Sequence, residues 1–135
     1  MINKTIARAV LGVCLAAPPV LHTLPALAAA ADYKFEIAEV KPAGAGKSNV
    51  TLRLTHTPDK KPVADAVIFE IRADMGPDSM PTMTAPTKLQ QGPQPGLYVI
   101  EIQPGMAGNW ALQVAAKVQG ERDTVRATLP VKLGQ

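Results

Sequence analysis

From residue 33 onward, apolar side chains recur at every second position in short runs. Tyr33, Phe35 and Ile37 alternate with Lys34 and Glu36. Val50, Leu52 and Leu54 alternate with Thr51, Arg53 and Thr55, and His56 continues the apolar parity at the end of that run. Val67, Phe69, Ile71 and Ala73 alternate against Glu70, Arg72 and Asp74, with Met75 on the apolar parity. Tyr98, Ile100 and Ile102 form a further stripe. Trp110, Leu112, Val114, Ala116 and Val118 form the longest, and Val125, Ala127, Leu129, Val131 and Leu133 the last. A period of two is that of a strand with one face in a core. Residues 88–91 add a short edge strand. Pro, Gly and polar clusters at 42–46, 58–62, 92–96 and 104–108 mark turns, and Gln119-Gly120 suggests a tight hairpin. No stretch shows convincing helical periodicity. Six to seven short strands separated by turns predict an all-β fold, an immunoglobulin-like antiparallel β-sandwich, with a small barrel as the alternative. Trp110 is the expected core anchor.

The start of the chain reads differently. Lys4 and Arg8 precede an apolar run over residues 9–17, with no acidic residue among them. A second stretch, broken by Pro18, Pro19, His22 and Pro25, leads to Ala26-Leu27-Ala28, a small-x-small cleavage signal. Residues 1–28 are therefore expected to be a secretory signal peptide, with slippage of the cut to Ala30 or Ala31 easily accommodated. A membrane anchor is the alternative, but the apolar stretch is interrupted and short of the roughly 20 residues a spanning helix needs. Cys14 lies in this leader; Val13 is a poor fit for the small residue that should precede a lipidated cysteine. Residues 29–135 then form one domain without a cysteine, long enough for its own core. Disulfide and thiolate chemistry are absent from it, which suits an oxidising compartment. Without Lys4 and Arg8 the basic count drops from 14 to 12 against 11 acidic residues, and the net charge from +3 to +1. With no basic cluster interleaved with aromatics, nucleic-acid binding is excluded.

Candidate chemistry concentrates in residues 74–86, which hold Met75, Met80 and Met83 out of five methionines in the chain. A thioether is a soft, neutral ligand that suits Cu(I) or Ag(I) better than Zn(II), Mg(II) or Ca(II). It binds without losing a proton and forms no disulfide, although it can be oxidised to the sulfoxide. Sulfurs sharing one metal lie within roughly 4 Å of each other, given metal–sulfur bonds of about 2.3 Å. Met80 and Met83 would face opposite ways in a regular strand, and Pro81 disfavours one. A turn is expected to bring them to one side, with Met75 joining from the preceding strand. His56, the one histidine outside the leader, is a candidate nitrogen ligand, and Met106, in another turn, a weaker sulfur candidate. The plain alternative is packing: Met75 continues an inward stripe, Met80 and Met83 cap one end, and His56 is hydrogen-bonded at a strand end. Enzyme readings find less. Ser48 and Ser79 lack a nucleophile-elbow context, no histidine cluster exists for catalytic zinc, and Asp74 and Asp78 match no calcium loop. No catalytic activity is expected.

Four segments carry a family likeness. Lys61-Pro62-Val63-Ala64-Asp65-Ala66-Val67-Ile68 resembles the G-K-P-V-x-x-A-x-V turn-to-strand segment of YtkA-like domains, also called FixH-family proteins. Residues 74–83 resemble their Met-rich loop, Pro95-Gly96-Leu97-Tyr98 their P-G-x-Y strand entry, and residues 106–112 their M-x-G-x-W-x-L segment. The likeness covers about residues 33–133. It implies an immunoglobulin-like sandwich in the bacterial periplasm, placed near adaptor subunits of heavy-metal efflux pumps or copper-dependent oxidase assembly. Lys60 stands where the family usually has Gly, and FixH itself has a membrane-spanning helix that this chain is expected to lack after cleavage. The expectation is a free periplasmic accessory protein. It would bind Cu(I) or Ag(I) through Met75, Met80 and Met83, with His56 and Met106 as additions, in metal efflux or delivery to another copper-handling protein. The alternative is a module that docks, without metal, on an efflux-pump adaptor subunit through the same loop.

Overall fold

The computed structural model describes residues 30–134; the expected signal peptide and Cys14 lie outside them. Two long strands, β1 (Tyr33–Gly44) and β2 (Lys47–His56), form a hairpin, and β3 (Lys61–Pro62) is a short rung on β2. β4 (Ala66–Met75) passes through a 3-10 turn, Gly76–Asp78, into β5 (Met80–Ala85). β6 (Thr87–Gln91), β7 (Leu97–Ile102), β8 (Gly108–Val118) and β9 (Thr124–Leu133) complete the chain. One sheet has the order β1-β2-β7-β6 with β3 attached to β2; the other is β5-β4-β8-β9. Every pairing is antiparallel. Lettered as in an immunoglobulin domain, these are the A-B-E-D and C′-C-F-G sheets of a Greek-key sandwich.

The core follows from the alternating stripes. Val50, Leu52 and Leu54 of β2 and Ile100 and Ile102 of β7 face Trp110, Leu112, Val114 and Ala116 of β8, all buried. Trp110 has no exposed surface; truncating so large a buried side chain costs about 3–5 kcal/mol. Two polar hydroxyl contacts hold one end of the sandwich together. Tyr98 Oη donates to Val63 O at 2.7 Å and accepts from Ala66 N at 3.3 Å, which joins the two sheets at the start of β4. Tyr33 Oη donates to Glu121 at 2.8 Å. Gly96 has φ +81°, and a Cβ there would come 2.5 Å from Pro62 Cβ, so the turn into β7 needs glycine.

Several details depart from the sequence reading. There are nine strands among the described residues, not six or seven, because Lys61–Pro62 and Met80–Ala85 also pair. β1 continues to Gly44 through the expected 42–46 loop, whose turn shrinks to its tip. In β4 the expected inward stripe is broken. Val67 and Phe69 are 65% and 55% exposed, while Ile68 is buried. A bulge causes this: Ile68 pairs with Ala116 and Glu70 with Ala115, so Phe69 is extra and the facing switches beyond it. Ala73 and Met75 are inward as expected. Among the described residues no helix is long and apolar enough to cross a membrane.

Candidate metal centre

The end of β4 is shaped by Asp74. Its buried carboxylate accepts from Gly76 N at 2.9 Å, Arg72 Nε at 3.0 Å and Gln113 Nε2 at 2.8 Å. The Gly76 amide, then the Arg72 guanidinium and Gln113, hold its pKa below the ordinary carboxylate value against the opposing effect of burial. Pro77 starts the 3-10 turn, and Ser79 closes it with φ 63° and a bond from its N–H to Gly76 O. Asp78 reaches across to β8, accepting from Asn109 N at 2.8 Å and Asn109 Nδ2 at 2.9 Å; these bonds lower its pKa too. Both aspartates therefore position the turn.

This tight reversal sets Met80 directly opposite Met75 in the β4–β5 ladder. Facing residues of an antiparallel pair lie about 4.5–5.5 Å apart at the backbone, so the two methionines are neighbours across the ladder. Met75 is 1% exposed and belongs to the core; Met80 is half-buried and packs against it. Gly108 makes room for Met75, since a Cβ there would lie 2.6 Å from Met75 Cε and 2.7 Å from Asp78 Oδ2. Pairing resumes at Asp74–Thr84 and Ala73–Ala85, which leaves residues 81–83 outside the ladder. Pro81 thus never has to donate to a partner strand. Arg72 Nη2 donates to Pro81 O at 2.9 Å and pins this excursion. Met83 within it is 39% exposed. Met106, 45% exposed, sits in the β7–β8 loop at the same end, where its carbonyl accepts from Trp110 Nε1 at 3.3 Å.

His56 is elsewhere. It pairs with Tyr33 and Lys61 at the far end of β2, the end where Tyr98 meets Ala66 at the start of β4. β4 alone, ten residues long, spans about 30 Å. Met75 and His56 lie at opposite ends of the sandwich and cannot share one metal ion. The imidazole instead bonds Asp59 through Nδ1 at 2.8 Å and packs tilted against the Tyr33 ring, centroids 5.1 Å apart.

The structure therefore brings Met75 and Met80 together, places Met83 and Met106 at their end, and leaves His56 out. Among the described residues no three His, Cys, Asp or Glu side chains gather as a metal site; the soft donors at this end are the methionine thioethers. Arg72, Gln113 and Asn109, which help position this end, were not singled out from the sequence; Gly108 was, only as the glycine of the M-x-G-x-W-x-L segment. Asp74 followed by Gly76-Pro77 was the available signal for the Asp74–Gly76 bond, because an aspartate two residues before a turn amide bonds it locally; nothing in the sequence marked Arg72 or Gln113 as its other partners.

A profile described as YtkA-like matches residues 27–115. That span contains all five candidate ligands and ends within β8. Neither a curated protein nor a solved structure matches the chain.

Proposed function

The chain belongs to the YtkA-like family, and on that premise we propose that it is a periplasmic accessory protein that binds Cu(I), or Ag(I), in metal efflux or delivery. The observation that carries this reading is the cross-strand pairing of Met75 with Met80. On this reading two soft, uncharged donors on facing backbone positions share an ion at the edge of the apolar core, and Met83 and Met106, at the same end of the sandwich, complete a low-coordinate site. Met75 and Met80 would hold the ion from the core side, and Met83 or Met106 would close it from the solvent side. Apolar surroundings favour a monovalent soft ion over a divalent hard one, whose charge would need carboxylate partners. The expected cleaved leader favours a free protein over a membrane-anchored FixH.

A second reading has its own observation. Met83 and Met106 are exposed apolar side chains, and methionine adapts to irregular partner surfaces. On that reading the same end docks on an efflux-pump adaptor subunit without metal.

An anaerobic Cu(I) competition titration against a chromophoric chelator separates them. The variant with Met75, Met80 and Met83 all changed to Leu keeps apolar volume and removes sulfur. Stoichiometric binding that is lost in the folded variant supports the metal site. A folded wild-type chain that leaves all the Cu(I) on the chelator overturns it, and adaptor binding in metal-free buffer then supports the docking reading.

A further inference from the structure

β5 covers only the end of β4, through Ala73–Ala85, Asp74–Thr84 and Met75–Met80. Below Ala73 no described strand pairs with the side of β4 that faces away from β8. The Ala66 amide is taken by Tyr98 Oη, so the open stretch is residues 67–72. It carries the exposed Val67 and Phe69. Unpaired edges invite strand addition, and proteins blunt them with prolines, charges or short length. The other outer strands are blunted in this way. β9 has Pro130 mid-strand, β1 has Lys34, Glu36, Glu39, Lys41 and Pro42, β5 has Pro81, and β6 is five residues with Lys88. The open stretch of β4 has no proline, and its two charges, Glu70 and Arg72, are each held in an ion pair within the chain; its one protective device is the bulge at Phe69.

We propose that this edge pairs antiparallel with the same edge of a second copy of the chain, about a two-fold axis between Phe69 and Glu70. The bulge selects the partner. A regular strand laid along residues 67–72 loses register at Phe69, and its side chains face the wrong way beyond that point. A second β4 brings a matching bulge to the same place. In this register Val67 of one copy faces Arg72 of the other, Ile68 faces Ile71, and Phe69 faces Glu70. Outward residues meet outward residues, and the buried Ile68 meets the partly buried Ile71 along the core side. No like charges oppose each other. Glu70 is already paired with Arg126 and Arg72 with Asp74, both at 3.0 Å. In each copy β5 stops the ladder at Ala73, which fixes the extent of pairing. The contact is isologous and joins two four-stranded sheets into one. So short an edge falls below the roughly 1,200 Å² typical of stable complexes, so the dimer is concentration-dependent. It does not involve the methionine end and forms without metal.

Sedimentation velocity of residues 29–135, which hold every described strand, tests this from micromolar to millimolar concentration in metal-free buffer. Phe69→Lys and, separately, Val67→Lys run alongside; both side chains are exposed, so either variant that keeps the wild-type near-ultraviolet dichroism serves. The expected result is a reversible dimer that weakens about tenfold or more in the variant, with backbone amides of 67–72 exchanging more slowly as wild-type concentration rises. A chain that stays monomeric throughout overturns the proposal. So does a dimer that folded lysine variants leave intact, or one whose concentration-dependent protection lies on β1 or β9 instead.

Discussion

Asp74 decides where the methionine end begins. Its three bonds tie β4 to the turn, to Arg72 and to β8. Asp74→Ala leaves Arg72 and Gln113 short of a buried acceptor and should cost about 1–3 kcal/mol, read as a lower urea midpoint at pH 7. The same group predicts an acid response. Its folded-state pKa is lowered, so on acidification the unfolded chain takes the proton first. The contribution is fully present above about pH 4, the ordinary aspartate range, and is lost as pH falls through the lowered folded value. Asp78 and Glu101 are lowered too, so Asp74→Asn should shrink the acid loss without abolishing it; an unchanged pH dependence would remove Asp74 from the account. Gly108 is the second control point. Gly108→Ala puts a methyl 2.6 Å from Met75 Cε, an overpacking that costs about 1–3 kcal/mol unless Met75 moves. Peroxide mapping by mass spectrometry reports that movement. In the wild type Met83 and Met106 should oxidise well before Met75, which is 1% exposed. In Gly108→Ala the Met75 lag should shorten.

β4 and β5 show how far elements can be read from a sequence. The alternation of Val67, Phe69, Ile71 and Ala73 looked like one inward face. Ile68 lies between the first two, so three consecutive apolar residues leave the parity undecided, and the bulge settles it the other way. β2 held no such ambiguity, because Asn49, Thr51, Arg53 and Thr55 flank its apolar positions, and its stripe is buried as expected; β7 and β8 carry apolar flanks at Val99, Ala111 and Ala115, but the larger side chains of their stripes, Ile100, Ile102, Trp110, Leu112 and Val114, still take the core face. In β5 the proline was a sound argument against a regular strand. The chain satisfies it by leaving residues 81–83 out of the ladder while Met80 and Thr84 still pair. The spacing of Met80 and Met83 therefore carried no information about convergence, whereas the turn chemistry at Gly76-Pro77-Asp78 did. Deleting residues 81–83 should join Met80 to Thr84 in a continuous ladder. The shortened protein is expected to fold, losing only the Arg72–Pro81 bond from the β4–β5 contact, and to hold Cu(I) about tenfold or more weakly in the chelator competition. His56→Ala, at the far end of the sandwich, should leave that affinity unchanged. Equal losses in both variants would point to a general effect on folding and away from the Met83 excursion.

At the scale of the molecule, the sandwich was legible because each long strand advertises its buried face. Its two ends were not, since a sequence does not say which turns gather at which end. Strand direction supplies that: β4 rises to Met75 while β2 descends to His56, so one candidate ligand set became a methionine end and a separate histidine corner. The rise of β7 into the β7–β8 loop likewise brings Met106 to the methionine end. A site between β5, the end of β4 and the β7–β8 loop touches both the edge and the centre of the second sheet, so filling it must stabilise the whole sandwich. By linkage, free ligand at a hundred times its dissociation constant adds about 2.7 kcal/mol. For a domain near 100 residues each kcal/mol moves the melting temperature by about 4–8 °C, so excess Cu(I) under anaerobic conditions should raise it by roughly 10 °C or more. Trp110, buried beside this end with its indole on the Met106 carbonyl, is the natural reporter. Zn(II) should produce no comparable shift, because thioethers are poor ligands for it. The Met80→Leu, Met83→Leu double variant should keep its own apo melting point within a few degrees yet lose the Cu(I) increment. A wild-type melting temperature indifferent to Cu(I) at concentrations that satisfy the chelator titration would mean that the ion binds folded and unfolded chains alike, and the preorganised pair of Met75 and Met80 would then not be what holds it.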